Sequence, residues 1–166
     1  MQDFKYYAPT EVVFGKDAEE HLVEMINKYG GKKVLVHYGG HSAERSGLLA
    51  SVREKLNAAG ISFVELGGVK PNPRLTLVHE GIELCRKENV DFILAVGGGS
   101  VIDSSKAIGF GVKYDGDVWD IYARKYVPTD MLPVGVILTI PAAGSEMSDS
   151  SVITKEDGDL KIGYSN

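Results

Sequence analysis

The sequence has a single cysteine, Cys85, in 166 residues. One thiol cannot close an internal disulfide, and such usage fits a reducing compartment, the cytoplasm. No apolar run approaches 18 residues, so no membrane-spanning helix is expected. The first residues, Met1-Gln2-Asp3-Phe4-Lys5-Tyr6-Tyr7, show no apolar stretch of the signal-peptide kind. Long basic runs are missing as well. None exceeds two residues, as in Lys32-Lys33, and the net charge is −5, so no basic face for nucleic acid is expected. Repeats and low-complexity segments are absent. What is present is an ordinary globular composition, 43% hydrophobic and 25% charged. That length and composition suit one domain over residues 1–166 with a core of its own. Glycine is the excess: 20 residues, where a usual share of ~7% gives about a dozen.

Hydrophobic periodicity divides the chain into alternating strands and helices. Phe4–Phe14 reads as two short strands broken by Ala8-Pro9-Thr10. Gly15-Lys16-Asp17 opens a helix whose face is Ala18, Leu22, Met25, Ile26 and Tyr29, and Gly30-Gly31 closes it. Strands follow at Lys33–His37, Ile61–Leu66, Val90–Val96 and Val134–Ile140. Between them, helices are marked by Leu48, Leu49, Val52 and Leu56, by Val78, Ile82 and Cys85, and by Ser100–Gly109. Ser151–Thr154 and Leu160–Tyr164 form a hairpin around Glu156-Asp157-Gly158. This pattern predicts an α/β fold, Rossmann-like, with a mostly parallel sheet flanked by helices.

Parallel sheets take ligands at the carboxyl ends of their strands, and three small-residue breaks lie just there. Gly97-Gly98-Gly99-Ser100 joins a strand to a helix. Bare backbone at such a junction admits a ligand to main-chain N–H groups, and a helix amino end favours an anion such as pyrophosphate. The same letters also suit a plain tight turn with Ser100 as helix cap. The spelling is neither GxGxxG nor a P-loop. Thr139-Ile140-Pro141-Ala142-Ala143-Gly144-Ser145 suits a groove wall or a polar turn. Gly39-Gly40-His41-Ser42 either makes only a turn or places no carboxylate where a ribose-binding acid often stands, so that a 2′-phosphate meets no repulsion. His21 and His79 fall within helices and read as structural. His37 and His41 sit near the crevice, with no second ligand cluster to complete a metal site. Cys85 reads as a small core residue, Trp119 as packing, and Glu19-Glu20 as solvated helix surface.

Several segments together resemble the amino-terminal cofactor domain of the iron-containing (group III) alcohol dehydrogenases, in the butanol dehydrogenase and aldehyde reductase branch. They are Val13-Phe14-Gly15, Val36-His37-Tyr38-Gly39-Gly40, Gly68-Val69-Lys70-Pro71-Asn72-Pro73, Gly97-Gly98-Gly99-Ser100-Val101-Ile102-Asp103-Ser104-Ser105-Lys106-Ala107, Gly116-Asp117-Val118-Trp119-Asp120, and Leu138-Thr139 with Gly144-Ser145-Glu146. The resemblance implies an oxidoreductase that uses NADP or NAD on an alcohol or aldehyde. It assigns Gly97, Gly98, Gly99 and Ser100 to the pyrophosphate loop, and Thr139 and Ser145 to the nucleotide groove. Asp103 matches an acid on the nicotinamide side, and Lys161 a lysine at the nicotinamide ribose. Gly39, Gly40 and Ser42 fall where the branch accommodates a 2′-phosphate, which makes NADP(H) the expected cofactor.

The resemblance also implies a helical domain that holds a catalytic divalent metal, iron or zinc, through ligands beyond residue 166. On that reading these residues contain neither metal ligands nor catalytic residues and bind the dinucleotide without turnover. A homo-oligomer is expected, because an apolar face and a strand at Leu160–Tyr164 are left uncovered. The alternative is a non-catalytic α/β module that binds nucleotide or only oligomerises.

Overall fold

A computed structural model describes residue 3 and residues 7–165. Six strands are present among them: β1 (Lys33–Tyr38), β2 (Ser62–Leu66), β3 (Phe92–Gly97), β4 (Val134–Leu138), β5 (Ser151–Lys155) and β6 (Leu160–Tyr164). The helices are α1 (Leu22–Lys28), α2 (Ser42–Arg45), α3 (Leu48–Ala58), α4 (Leu75–Glu88), α5 (Gly99–Val112) and α6 (Trp119–Tyr122), with 3-10 turns at Ala18–His21 and Ser145–Met147.

β1 to β4 form one parallel sheet in the order β2-β1-β3-β4. The two central strands carry near-continuous apolar runs because both of their faces are covered. Alternation decides which face each residue serves. Val34, Val36, Phe92, Leu94 and Val96 pack with Leu22 and Ile26 of α1 and Leu49, Val52 and Leu56 of α3. Leu35 and Ile93 point the other way, into a cluster with Val78, Ile82 and Cys85 of α4 and Ala107, Ile108 and Phe110 of α5. Cys85 is a buried core group, and burial pushes its thiol up to about 12. α4 and α5 meet at small residues. A Cβ on Gly81 would collide with Ile108, and one on Gly111 with Ile82.

β5 and β6 pair antiparallel, Ile153 opposite Ile162, as the hairpin pattern predicts. Ile153 and Tyr164 close the α4–α5 core, and Tyr164 meets Phe110 and Tyr122 edge-on.

The N-terminal strands expected over Phe4–Phe14 are not formed across residues 7–14, which have no strand partner among the described residues; residues 4–6 lie outside them. Tyr7, Val12 and Phe14 are strongly exposed there, and the segment is fastened by Glu11, which accepts hydrogen bonds from Lys28 (2.8 Å) and Tyr29 (2.9 Å). β-propensity reports fit to a neighbouring strand rather than an intrinsic backbone preference, so it misleads where no neighbour is supplied.

Candidate functional site

The strand order turns round between β1 and β3. The chain leaves β1 outward to β2, recrosses through α4 to β3, and continues to β4. Loops after β1 and β3 therefore depart to opposite faces and leave a crevice at the carboxyl end of the sheet, the usual ligand position in doubly wound folds. Tyr38-Gly39-Gly40 lies on one side of it, Gly97-Gly98-Gly99 on the other, and Thr139 beyond, with its N–H donated to the Gly97 carbonyl at 3.0 Å. The structure thus brings together the three breaks singled out from the sequence.

The glycines of the triplet do different work. A Cβ on Gly97 would come within 2.5 Å of Val101, so the strand needs glycine there to let α5 pack closely. Gly98 and Gly99 have no such reason. Gly98 caps α5 with φ −98° and ψ −168°, a conformation open to any residue. A Cβ there would meet Ile140 only at 3.9 Å, and one on Gly99 would meet Ala143 at 3.7 Å, both ordinary contacts. The first hydrogen bonds of α5 run from Val101 and Ile102 to the Gly98 carbonyl at 2.9 and 3.2 Å. The N–H groups of Gly99 and Ser100 come before them, so Ser100 stands inside the first turn instead of capping it. This backbone is bare beyond what the fold asks for, and it fits an incoming phosphate.

On the β1 side, a Cβ at Gly39 would meet only the Val69 carbonyl at 3.6 Å and Val101 at 3.8 Å, and one at Gly40 nothing within 4 Å. His41 and Ser42 are exposed at the start of α2. The nearby acid Glu44 is held by Arg53 at 2.9 Å, whose other arm forks onto Glu65 at 2.8 Å through both Nε and Nη2.

His37 lies fully buried just below this rim. Its Nδ1 is 2.7 Å from the Leu66 carbonyl and its Nε2 2.8 Å from the Ser104 hydroxyl. A carbonyl only accepts, so Nδ1 carries the proton; in the neutral ring that burial favours, Nε2 accepts from Ser104. Burial brings its pKa down to about 4, against a smaller opposing effect of the Leu66 carbonyl. Both ring nitrogens have partners within the chain. His79, on α4, meets Asp117 at 2.9 Å on the surface, and His21 meets Glu24 at 3.0 Å.

On the β4 side, Asp103 and Ser145 meet each other. Ser145 Oγ donates to Asp103 Oδ1 at 2.6 Å, the Val152 N–H reaches Oδ2 at 3.2 Å, and Ser151 Oγ donates to the Asp103 carbonyl at 2.9 Å. One turn on, Lys106 Nζ donates to the carbonyls of Ser145 (2.6 Å), Ser148 (2.8 Å) and Ser150 (2.8 Å). Burial lowers the Lys106 pKa, and Asp103, Asp149 and Glu146 oppose that shift. In the sequence, Lys106 stands out only as part of the string from Gly97 to Ala107. The available signal was a charged pair at i, i+3 on an otherwise buried helix. Lys161 sits apart, exposed on β6 opposite Thr154, and no hydrogen bond or ion pair joins it to the other candidate residues. Among the described residues no group of three or more His, Cys, Asp or Glu is placed to hold a metal ion. Nor is any helix there long and apolar enough to cross a membrane.

Comparison with known families matches residues 9–166 to one described as iron-containing alcohol dehydrogenase. The chain belongs to the iron-containing alcohol dehydrogenase family. It is 52% identical over 164 residues to a probable NADH-dependent butanol dehydrogenase of Bacillus subtilis (strain 168), covering 99% of this chain and 42% of that protein. It is 36% identical over 170 residues to an NADPH-dependent aldehyde reductase of Escherichia coli (strain K12), covering 99% and 43%. The crystal structure of an NADH-dependent butanol dehydrogenase from Thermotoga maritima superimposes with a TM-score of 0.97 at 44% identity, covering all of this chain and 42% of that one. The chain therefore spans about two fifths of the length of these relatives. The α/β architecture and the resemblance read from the sequence both hold.

Proposed function

We propose that the chain is the dinucleotide-binding half of an NAD(P)-linked alcohol dehydrogenase or aldehyde reductase. The observation that carries this is the bare backbone at Gly98 and Gly99, at the crevice between β1 and β3, where the fold itself does not require glycine. In this reading the Gly99 and Ser100 N–H groups hold the pyrophosphate. The adenosine half lies over Gly39, Gly40 and Ser42. The nicotinamide half lies over Thr139 and the 139–145 segment, with Asp103, Ser145 and Lys161 on its side. A bound nicotinamide supplies hydride transfer; the chain supplies orientation.

NADP(H) is the proposed cofactor, with NAD(H) tolerated. In support, the acids nearest the β1 rim, Glu44 and Glu65, are both paired with Arg53. The relatives include enzymes named for NADH and for NADPH. The divalent metal that the family name implies does not fit the described residues, which offer no ligand cluster, so no step is assigned to it here. Without those ligands the chain binds cofactor and does not turn over an alcohol or aldehyde. The outer edge of β6, which pairs only with β5 among the described residues, favours a homo-oligomer, and the cytoplasm suits the one buried thiol.

Titration of the chain with NADPH and NADH, followed by assays on butanol and butyraldehyde with added Fe²⁺ or Zn²⁺, tests this reading. Saturable binding without turnover is expected, and light scattering should find more than a monomer. NADH bound much more tightly than NADPH contradicts the cofactor assignment. Robust turnover contradicts the half-enzyme assignment.

A further inference from the structure

The segment after β4 has two parts. Residues 139–144, Thr-Ile-Pro-Ala-Ala-Gly, are exposed and run beside Gly98 and Gly99. From Ser145 the chain turns down along α5 and becomes partly buried. This lower part, Ser-Glu-Met-Ser-Asp-Ser, has no apolar anchor, since Met147 is exposed. Its order comes from α5 instead.

A lysine ammonium has three donors and no acceptor. Lys106 meets three carbonyls, those of Ser145, Ser148 and Ser150, all within 2.8 Å. Its Ser145 and Ser148 hydroxyl contacts are longer, at 3.3 and 3.5 Å. Asp103 likewise receives one donor on each carboxylate oxygen. Both charges are thus satisfied from within the chain. Lys106 also lies about 10 Å along the helix from Gly99, at 1.5 Å per residue. Its ammonium is turned onto the foot of the post-β4 segment, at Ser145, Ser148 and Ser150.

We infer that Lys106 and Asp103 are positioning residues for the nicotinamide half of the cofactor. They pin the foot of the post-β4 segment to α5, so that 139–144 stands as a preset wall beside the glycine loop. The inference rests on the dinucleotide reading above, and it differs from the sequence expectation that Asp103 and Ser145 contact cofactor directly. Its consequence is selective. Freeing the foot disturbs only the β4 side. The Gly98–Ser100 backbone and the Gly39–Ser42 rim keep their geometry, because His37 and Ser104, not Lys106, tie α5 to that side.

Lys106→Met removes the donors while keeping an unbranched side chain. In the 166-residue chain we expect it to weaken NADH binding at least tenfold, quench the fluorescence change of bound NADH, and leave ADP affinity within twofold. A purely structural lysine would lower the melting temperature without separating the two ligands. Equal loss of NADH and ADP, or no loss of either, overturns the inference alone. Failure of the unsubstituted chain to bind either ligand overturns both the inference and the proposed function. Should Lys106→Met fail to fold by circular dichroism, Ser145→Ala carries the test. It removes the hydroxyl between Asp103 and the segment, and the same split is expected at about threefold. Its absence is equally decisive against the inference.

Discussion

Helix α5 is fastened on its two sides by opposite chemistries. Toward β1 and β2 the link is neutral and fully buried: Ser104 donates to His37, which donates to the Leu66 carbonyl. Toward β5 and the post-β4 segment the link is only part-buried and made by two charged groups, Asp103 and Lys106, hydrogen-bonded to neutral partners. A neutral imidazole tolerates the low-dielectric interior beneath the β1 rim, where a charge without a partner would be costly. The charged link stands where main-chain carbonyls converge and burial is only partial. The helix that begins at Gly99 is therefore set by two anchors that fail under different conditions.

The largest effect is expected from a change that spares both anchors. Gly98→Val should abolish dinucleotide binding, roughly a hundredfold loss or more, or about 3 kcal/mol. Stability should stay within about 1 kcal/mol, because a Cβ there meets nothing closer than 3.9 Å. Titration calorimetry and chemical denaturation check the two halves of this expectation. Binding that survives the substitution would show that both anchors serve the fold alone.

Acid separates the anchors next. The His37 pKa falls from 6.5 unfolded to about 4 folded, so the fold favours the neutral ring. That contribution is complete above pH 6.5 and is lost as pH falls toward 4, by up to about 3 kcal/mol. Denaturation midpoints between pH 7 and 4 should drop more steeply in the unsubstituted chain than in His37→Gln, which is itself weaker at pH 7. Parallel pH profiles would contradict the neutral assignment.

The smallest effect compares two neighbours. Ser104→Ala leaves His37 Nε2 buried without a partner and should cost about 1–2 kcal/mol. Ser105→Ala should be neutral or stabilising by up to about 1 kcal/mol, because the buried Ser105 hydroxyl has no partner among the described residues. A reversal of that order would mean that the hydrogen bond from Ser104 does not anchor the helix.

The central strands were legible from sequence because an apolar run such as Phe92–Val96, closed by glycines, suits a strand covered on both faces. The hairpin was legible from its turn letters. Helices α2 and α6 were not foreseen, since four residues are too few to show a helical period. Tyr7 to Phe14 read as strand on β-propensity that has no neighbour to satisfy it. At the site, the glycine breaks were legible as letters. The Lys106 anchor was not, because its main partners are backbone carbonyls of Ser145, Ser148 and Ser150, and a carbonyl is common to every residue type. The contact between Asp103 and Ser145 was not legible either, since 42 residues separate the two in the chain.

The most direct test of the account follows backbone amides of the ¹⁵N-labelled chain during titration with NADPH. The account predicts the largest shifts at Gly98, Gly99 and Ser100, followed by Gly39–Ser42 on one side and Thr139–Ser145 on the other. No shifts, or shifts confined to the shallow hollow at the opposite end of the sheet beside Lys33, Asn57 and Ser62, would contradict it.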